Sequence, residues 1–290
     1  MTKPPAPFDR RPWLDQKLPD EAARVPTMLT EEEGQLLYWL TGTYATGAGV
    51  ICDLGCFAGG STARLAAGVS DAGRRGSVHA YDFFEIEDHQ KERYLYPAGI
   101  APFPGRNMQP AVRQLLASWE QIVTLHPGDI QQIGWPGGAI EILFVDAAKT
   151  PRAADGIADA FFPHLIPGRS IIIQQDYLHW RQPWVPAQME LMAAATVPVA
   201  WCRKGTVAFL VTQQMTTEIL QAARTSTLDD TALKRLLQRA LHRFPDRPQR
   251  ATLARAILGV SDNPGVRVPF KFDGSAINQE RIRAVLQGRA

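Results

Sequence analysis

The chain has 290 residues, of which 45% are hydrophobic and 21% are charged, and its formal net charge is +2. This length allows one sizeable core with a small appendage, and the composition is that of an ordinary globular protein. No apolar run reaches about 18 residues, which argues against a transmembrane helix. Residues 1–12 lack the apolar core of a signal peptide, so we expect a cytoplasmic protein.

The N-terminal region is predicted to begin with an extended arm over residues 1–28, because prolines recur at positions 4, 5, 7, 12, 19 and 26. A helix is predicted over residues 29–41. Thr30 can cap this helix, with Glu33 three positions later completing a capping box. The leucines at positions 36, 37 and 40 then form its apolar stripe.

A glycine-rich turn follows the first predicted strand, residues 50–54. Gly55, Gly59 and Gly60 lack a Cβ, so backbone N–H groups can come close to a ligand there. With Asp53 the spacing is D-x-G-x-x-x-G-G, which differs from the G-x-G-x-x-G of dinucleotide-binding enzymes. A carboxylate here repels a pyrophosphate and favours a cationic aminoacyl ligand.

A second strand is predicted over residues 77–82 and ends in Asp82. An acid at the end of the second strand of a nucleotide-binding α/β sheet can bind both ribose hydroxyls. Between residues 83 and 106 the pattern breaks into an irregular insert, which we expect to act as a lid or substrate loop. Asp129 lies further on, in a Gly-Asp-Ile sequence, where an aspartate also commonly caps a helix or forms a turn.

Two later strands are predicted to lead into polar clusters. The apolar run 140–145 is typical of a strand that is buried on both faces of a parallel sheet, and another strand begins at residue 170. Open α/β sheets bind ligands beyond the carboxyl ends of their strands, so we expect Asp146 to point into the cleft there. The polar residues after the two strands are Asp146, Lys149, Gln175, Asp176 and His179.

Strand and helix alternate from residue 50 to about residue 162, and residues 206–211 form a last strand. This order predicts an α/β fold with a doubly wound, mostly parallel seven-stranded sheet and a final antiparallel strand. We expect the sheet domain to span residues 29–214 and a small helical extension to span residues 215–290.

The C-terminal extension carries apolar residues on one helical face, at positions 233, 236, 237, 240, 241 and 244. It is interpreted as either a homo-oligomerisation element or a cap on the substrate side. Residues 215–290 contain 13 Lys/Arg and 7 Asp/Glu. Because the arginines alternate with leucines and do not cluster with aromatic residues, no nucleic-acid partner is expected.

Over residues 29–212 the order and spacing of these segments resemble those of the class I S-adenosylmethionine (SAM) methyltransferases, which have a Rossmann-like sheet. The resemblance implies that SAM is the cofactor, that Asp82 binds its ribose and that Asp129 lies near its adenine. The residues that it assigns to the cofactor are Asp53, Gly55, Gly59, Gly60, Ser61, Asp82, Asp129 and Asp146.

The D-A-A-K sequence at residues 146–149 is similar to the D-x-x-K of small-molecule O-methyltransferases, such as catechol and caffeoyl-CoA O-methyltransferases. In that group the aspartate binds a divalent metal and the lysine is a candidate base. The next strand there usually ends in Asp-Asn or Asp-Asp, whereas this chain has Gln175 and Asp176. The resemblance implies a possible Mg²⁺ held by Asp146, Asp176 and the Gln175 carbonyl. With a metal ion bound, the candidate base is Lys149. Without a metal ion, the candidate bases are His179 and Lys149.

The expected function is therefore SAM-dependent O-methylation of a small hydroxylated acceptor, either a sugar or a natural-product intermediate. A distant relation to the macrocin-type sugar O-methyltransferases supports the reaction and does not identify the acceptor. Aromatic side chains at positions 177, 180 and 184 are candidates for an acceptor pocket. The alternatives are a SAM-fold binding protein that transfers no methyl group and, less favoured, an NAD-dependent dehydrogenase.

Overall fold

The computed structural model of the chain describes residues 6–74, 76–244 and 247–289. Within these residues the strands are β1 Val50–Leu54, β2 Val78–Asp82, β3 Val123–Pro127, β4 Ile140–Val145, β5 Ile171–Gln174, β6 Thr196–Trp201 and β7 Val207–Val211. The helices are α1 Asp20–Arg24, α2 Glu31–Trp39, α3 Gly60–Asp71, α4 Asp88–Gln90, α5 Gln109–Leu115, α6 Ile130–Ile133, α7 Pro151–Phe161, α8 Trp184–Leu191, α9 Thr217–Ala222, α10 Asp230–Arg243, α11 Arg247–Asp262 and α12 Gln279–Leu286.

The described strands form one sheet in the order β3-β2-β1-β4-β5-β7-β6. β1 pairs in parallel with β2 and β4, and β2 pairs in parallel with β3. β7 is antiparallel to both β5 and β6. The predicted seven-stranded, mostly parallel sheet with an antiparallel last strand is confirmed.

The chain divides into two compact units. The N-terminal unit is Arg10–Val145, and the C-terminal unit is Asp146–Ala290 together with Met1–Asp9. This division differs from the predicted boundaries at residues 28 and 214. The first five residues of the predicted arm lie outside the described residues.

In the N-terminal unit, the arm packs against the helix that follows it. Trp13 is buried, and its ring centroid lies 6.0 Å from that of Trp39 in α2. The predicted capping box at the start of α2 is confirmed: the Glu33 N–H donates to Thr30 Oγ1 at 3.3 Å, and the Thr30 N–H donates to Glu33 Oε2 at 2.8 Å. The arm from Arg10 onward therefore belongs to this unit, because the Trp13 side chain contributes to the unit's core.

The insert after β2 contains α4 and further short turns, and a buried lysine anchors it. Lys91 Nζ donates to Asp88 Oδ1 at 2.8 Å, to the Phe103 carbonyl at 3.3 Å and to the Gly105 carbonyl at 2.5 Å. These bonds tie both ends of the loop to one side chain. The predicted lid is thus an ordered loop, and its role toward substrate stays a prediction.

β4 carries a fully buried acid, Glu141, inside its apolar run. Its carboxylate accepts hydrogen bonds from the Thr46 N–H at 2.8 Å and the Thr46 hydroxyl at 2.9 Å. The N–H groups of Gly47 and Ala48 donate at 2.8 and 3.0 Å. Four donors therefore compensate the buried charge and fix the loop that leads into β1.

In the C-terminal unit, the last helices pack into the same core as α7 and α8. Buried Glu190 in α8 forms an ion pair with Arg243 of α10. Buried Asp155 of α7 accepts hydrogen bonds from the N–H groups of Thr225 at 2.8 Å and Ser226 at 3.0 Å. The described residues of the predicted extension therefore pack within this unit, and the predicted domain boundary at residue 214 stays a prediction.

The apolar face predicted for α10 is confirmed, because its members are buried: Leu233, Leu236, Leu237, Ala240, Leu241 and Phe244. This face is used in packing inside the C-terminal unit. The predicted homo-oligomer would therefore need another surface of these helices. Among the described residues, no helix combines the length and the apolar character needed to cross a membrane.

We expect Glu141→Ala to lower the free energy of unfolding by about 3 kcal/mol, because the loop donors around residues 46–48 lose a charged acceptor. Urea denaturation followed by circular dichroism measures this loss. The matched control is Glu120→Ala, which removes an exposed glutamate and should change stability by less than about 0.5 kcal/mol. Equal effects of the two variants would contradict a structural role for the Glu141 carboxylate.

Candidate functional site

The glycine turn after β1 has the backbone conformation that its glycines predict. Gly55 and Gly59 have φ values of +94° and +84°, which other residues rarely adopt. The Gly55 N–H donates to the Tyr81 carbonyl at 2.8 Å, which fixes the turn to the end of β2. A Cβ added at Gly60 would lie 2.4 Å from the Pro26 carbonyl oxygen, so the chain around residue 26 passes over the start of α3.

Asp53 lies fully buried beneath this turn. Its Oδ2 accepts hydrogen bonds from the hydroxyls of Ser61 at 2.8 Å and Thr62 at 2.6 Å. Its Oδ1 is also buried, and no hydrogen-bond donor to it exists in the described part of the chain. A buried carboxylate oxygen without a donor is costly, so this atom is suited to a donor that a ligand brings.

Burial raises the pKa of Asp53 to about 6. The hydrogen bonds from Thr62 and Ser61 lower that pKa, and the negative charge of Asp82 raises it. A cation placed beside Oδ1 would favour the ionised form. The predicted contact of Asp53 with the cationic aminoacyl part of a cofactor stays a prediction.

Asp82, at the end of β2, is held by two backbone donors. The Phe57 N–H donates to Oδ2 at 2.9 Å, and the Phe84 N–H donates to Oδ1 at 2.9 Å. Both phenylalanines have positive φ values, 48° and 52°, so the backbone bends sharply to present these groups. Each carboxylate oxygen keeps further acceptor capacity, which two ribose hydroxyls can use.

Two other predicted cofactor residues have partners within the chain. Asp129 is the N-cap of α6, because its Oδ1 accepts the Gln131 N–H at 3.0 Å. The Ser61 hydroxyl donates a hydrogen bond to Asp53, so it links the start of α3 to β1. Capping is the role that the structure gives Asp129, and its contact with adenine stays a prediction.

Arg64 is a buried residue of α3 that sequence reasoning missed. Its Nη1 donates to the Gly60 carbonyl at 2.7 Å and to the Val25 carbonyl at 3.3 Å. Burial lowers its pKa. Arg64 therefore joins the first turn of the glycine-led helix to the N-terminal segment. Beside this segment lies a cavity of about 290 Å³, lined by residues 23–28, Phe57, Tyr94 and Ala98.

The D-A-A-K residues form an ionic cluster in the C-terminal unit. Lys149 Nζ donates to Asp146 Oδ1 at 2.5 Å and to Asp176 Oδ2 at 2.5 Å. Gln182 Nε2 donates to the same Asp176 oxygen at 2.7 Å. The structure thus brings together three of the predicted site residues, Asp146, Lys149 and Asp176, and adds Gln182.

The electrostatics of the cluster distinguish the two candidate bases. Loss of solvent lowers the pKa of Lys149, but the charges and hydrogen bonds of Asp146 and Asp176 outweigh this effect and raise it. Loss of solvent also lowers the pKa of His179; Asp176 opposes that shift, and Lys149 and Arg181 add to it. Lys149 therefore remains an ammonium at neutral pH, whereas the His179 ring is neutral and able to accept a proton.

The predicted magnesium ligands do not form a set that fits a metal ion. Asp146 and Asp176 both bind the Lys149 ammonium, and Gln175 Oε1 accepts a hydrogen bond from the Thr206 hydroxyl. Across residues 6–74, 76–244 and 247–289, no group of three or more His, Cys, Asp or Glu side chains is arranged to hold a metal ion. We therefore assign no step of the chemistry to a metal.

The predicted aromatic pocket is mostly core. Tyr177 and Trp184 are buried, and Trp184 Nε1 donates to the Ala148 carbonyl at 2.7 Å. Trp180 packs edge-on against Phe272, with ring centroids 6.0 Å apart. Tyr177 and Trp184 therefore serve packing, and Trp184 fixes the loop that carries Lys149.

Sequence reasoning missed several supporting residues. Thr62 was a recognisable candidate, because a hydroxyl at the start of an apolar helix beside a buried acid can donate to that acid. Gln182 and Arg64 give no local signal, since their partners are 6 and 39 residues away along the chain.

Residues 52–177 match the model of a protein family described as a methyltransferase domain. None of the curated proteins matches the chain. The solved structure of the O-methyltransferase NovP is 15% identical, covers 62% of this chain and 78% of its own, and gives a TM-score of 0.43. The methyltransferase PaMTH1 of Podospora anserina, bound to S-adenosylhomocysteine (SAH), is 14% identical over 79% of this chain and 82% of its own, with a TM-score of 0.43. Cofactor-bound Rv0187 from MTB is 19% identical over 71% of this chain and 98% of its own, with a TM-score of 0.44.

At these identities and TM-scores the solved structures carry no argument about the acceptor. The family match is more informative, because it begins in β1 and ends at Tyr177. It therefore includes the glycine turn, Asp82 and the Asp146–Lys149–Asp176 cluster. The match identifies residues 52–177 as similar to a methyltransferase domain, in line with the family that the sequence resembles.

Proposed function

We propose that this protein transfers a methyl group from SAM to an oxygen of a small hydroxylated acceptor, either a sugar or a natural-product intermediate. The observation that carries the proposal is the partly exposed ionic cluster of Asp146, Lys149 and Asp176, with the exposed imidazole of His179 close by in sequence. Such a cluster can hold a polar acceptor and supply a base.

The residues of the N-terminal unit fit SAM. The donor-free Oδ1 of Asp53 suits the ammonium of its amino-acid part, and Asp82 has acceptor capacity for its ribose. The glycine turn, from Gly55 to Gly60, keeps the backbone accessible. When bound, SAM supplies an electrophilic methyl carbon: the acceptor oxygen forms a C–O bond as the C–S bond breaks, and the electron pair stays on sulfur.

The chain's own residues must then orient the acceptor oxygen and take up its proton. We assign the proton to the neutral His179 ring rather than to Lys149, because an ammonium has no lone pair to accept it. Lys149, held by Asp146 and Asp176, acts as a hydrogen-bond donor. Arg64 and Ser61 hold the glycine turn, and we assign them no part in the proton transfer.

A second candidate function is SAM binding without methyl transfer. It is motivated by the departure at Gln175, whose side chain is bound by Thr206. In that case the protein would bind SAH and would methylate none of the hydroxylated acceptors tested.

The test of the proposed reaction uses SAM labelled in its methyl group and a panel of phenols, sugars and hydroxylated natural products. We expect label in a methyl ether, and we expect His179→Gln to lower kcat by about 10²–10⁴-fold because the base is lost. His242→Gln, a substitution of an exposed histidine in α10, is the matched control. Label on nitrogen, or SAH binding without any labelled product, would contradict O-methylation.

We expect Asp82→Ala to weaken SAH binding by about 100-fold, since hydrogen bonds to a charged group are lost. Isothermal titration calorimetry measures the Kd. Asp15→Ala, which removes an exposed aspartate, should leave it unchanged. An unchanged Kd in Asp82→Ala would show that Asp82 does not bind the ribose.

We expect the affinity for SAH to rise about tenfold between pH 5 and pH 7, as Asp53, with its pKa raised to about 6, gains its charge. The affinity rises rather than falls with pH because a bound ammonium favours the ionised form of the Asp53 carboxylate. Titrations at several pH values should show this rise in the wild type and in Asp15→Asn, and weak, pH-independent binding in Asp53→Asn. A rise that persists in Asp53→Asn would assign it to another group.

A further inference from the structure

We infer that the Lys149 ammonium is the built-in cation of the Asp146–Asp176 pair and takes the place that the O-methyltransferase resemblance gives to a divalent metal ion. We further infer that its third N–H donates to the acceptor oxygen; this second part rests on the proposed function. The inference makes Lys149 a group that binds and polarises the acceptor.

The geometry is that of a closed ionic cluster. One nitrogen lies 2.5 Å from Asp146 Oδ1 and 2.5 Å from Asp176 Oδ2. The amide of Gln182 occupies the same Asp176 oxygen at 2.7 Å. A divalent ion bound to these same two oxygens would lie against the ammonium, and the two cations would repel each other.

The place of Lys149 is built into the fold. The fully buried Trp184 donates to the Ala148 carbonyl at 2.7 Å, and the Lys149 N–H donates to the Ala147 carbonyl at 2.8 Å. Thr150 then caps α7, with its hydroxyl accepting the Ala153 N–H at 3.1 Å. The lysine therefore starts from a fixed backbone and reaches both carboxylates without reorganisation of the loop.

Gln175, the third predicted metal ligand, also has a hydrogen-bond partner within the protein. Gln175 Oε1 accepts a hydrogen bond from the buried Thr206 hydroxyl, which orients this carbonyl within the protein. Two carboxylates and one ammonium leave the cluster with one net negative charge. This net charge is small for a divalent cation, which also needs several hard oxygen ligands.

The ammonium retains one donor for the acceptor. Of its three N–H groups, Asp146 and Asp176 take two, and 51% of the side-chain surface is exposed. A hydrogen bond from a cation favours the ionised form of a hydroxyl. Within the proposed acceptors, this selects phenolic or enolic hydroxyls, which ionise most readily, over the alcohols of sugars.

The direct test measures Mn²⁺ binding by electron paramagnetic resonance on the full chain, without donor or acceptor. We expect no specific binding by the wild type up to about 1 mM Mn²⁺ and stoichiometric binding by Lys149→Met, in which the two carboxylates lose their cation. Lys149→Gln is a second neutral variant in case the first does not fold. Lys149→Arg keeps the charge and should bind no Mn²⁺, as should Lys17→Met, in which an exposed lysine is replaced.

Stoichiometric Mn²⁺ binding by the wild type that is lost in Asp146→Asn would overturn the inference. So would folded Lys149→Met or Lys149→Gln protein that binds no more Mn²⁺ than the wild type. Because this measurement involves no methyl transfer, it stands even where the proposed reaction fails.

The proposed hydrogen bond from Lys149 to the acceptor oxygen is tested by measuring methyl-transfer rates in the presence of a chelator. We expect unchanged wild-type rates and a kcat/KM for phenols at least about tenfold above that for alcohols, because phenols have the lower pKa. Lys149→Met should reduce this preference, because the cation that favours the ionised hydroxyl is gone, and Lys149→Arg should restore part of it. A preference that is undiminished in Lys149→Met would remove the acceptor contact from Lys149 and leave the Mn²⁺ result untouched.

Discussion

A buried carboxylate at the end of β1 is the constraint on which the N-terminal unit depends. Asp53 is too deeply buried to remain charged without donors, and among the described residues only one of its two oxygens receives them, from Ser61 and Thr62. Those two donors stand on the first turn of α3, so the hydrogen bonds that hold the acid also fix the helix start and the glycine turn above it. The second oxygen of Asp53 is buried without a donor among the described residues, and a pyrophosphate placed beside it would meet a negative charge.

The same rule, that a buried or partly buried charge needs a defined partner, organises the C-terminal unit. Glu190 is paired with Arg243, Asp155 accepts backbone N–H groups after α9, and Asp146 shares Lys149 with Asp176. The first two interactions join the C-terminal helices to α7 and α8, while the third lies partly in solvent. Removal of one partner of a buried pair costs more than the pair contributes, so the helices after residue 214 are bound to this unit by charges as well as by apolar packing.

The sequence predicts those features whose signals are local. The strand ends, the glycine turn and the Thr30–Glu33 capping box are read from neighbouring residues, and all are found in the structure. The division of the chain after Val145 has no local signal, and the C-terminal unit contains contacts between distant residues, such as that of Thr225 with Asp155, which is 70 positions away. The pairing of Lys149 with two carboxylates could not be predicted either. The D-A-A-K spacing brings Lys149 to Asp146, but the second carboxylate belongs to Asp176, which is 27 residues away.

The order of acid and amide after β5 explains why this cluster departs from a metal site. In the O-methyltransferases that the sequence resembles, the acid usually comes first; here Gln175 precedes Asp176. The amide therefore meets the hydroxyl of Thr206, and the acid, one residue later, meets Lys149 and Gln182. A lysine that is only a candidate base in the resembling enzymes thus becomes the counter-ion of two carboxylates. As the counter-ion of two carboxylates, Lys149 keeps one unused N–H donor, and in the proposed reaction this donor would orient the acceptor oxygen.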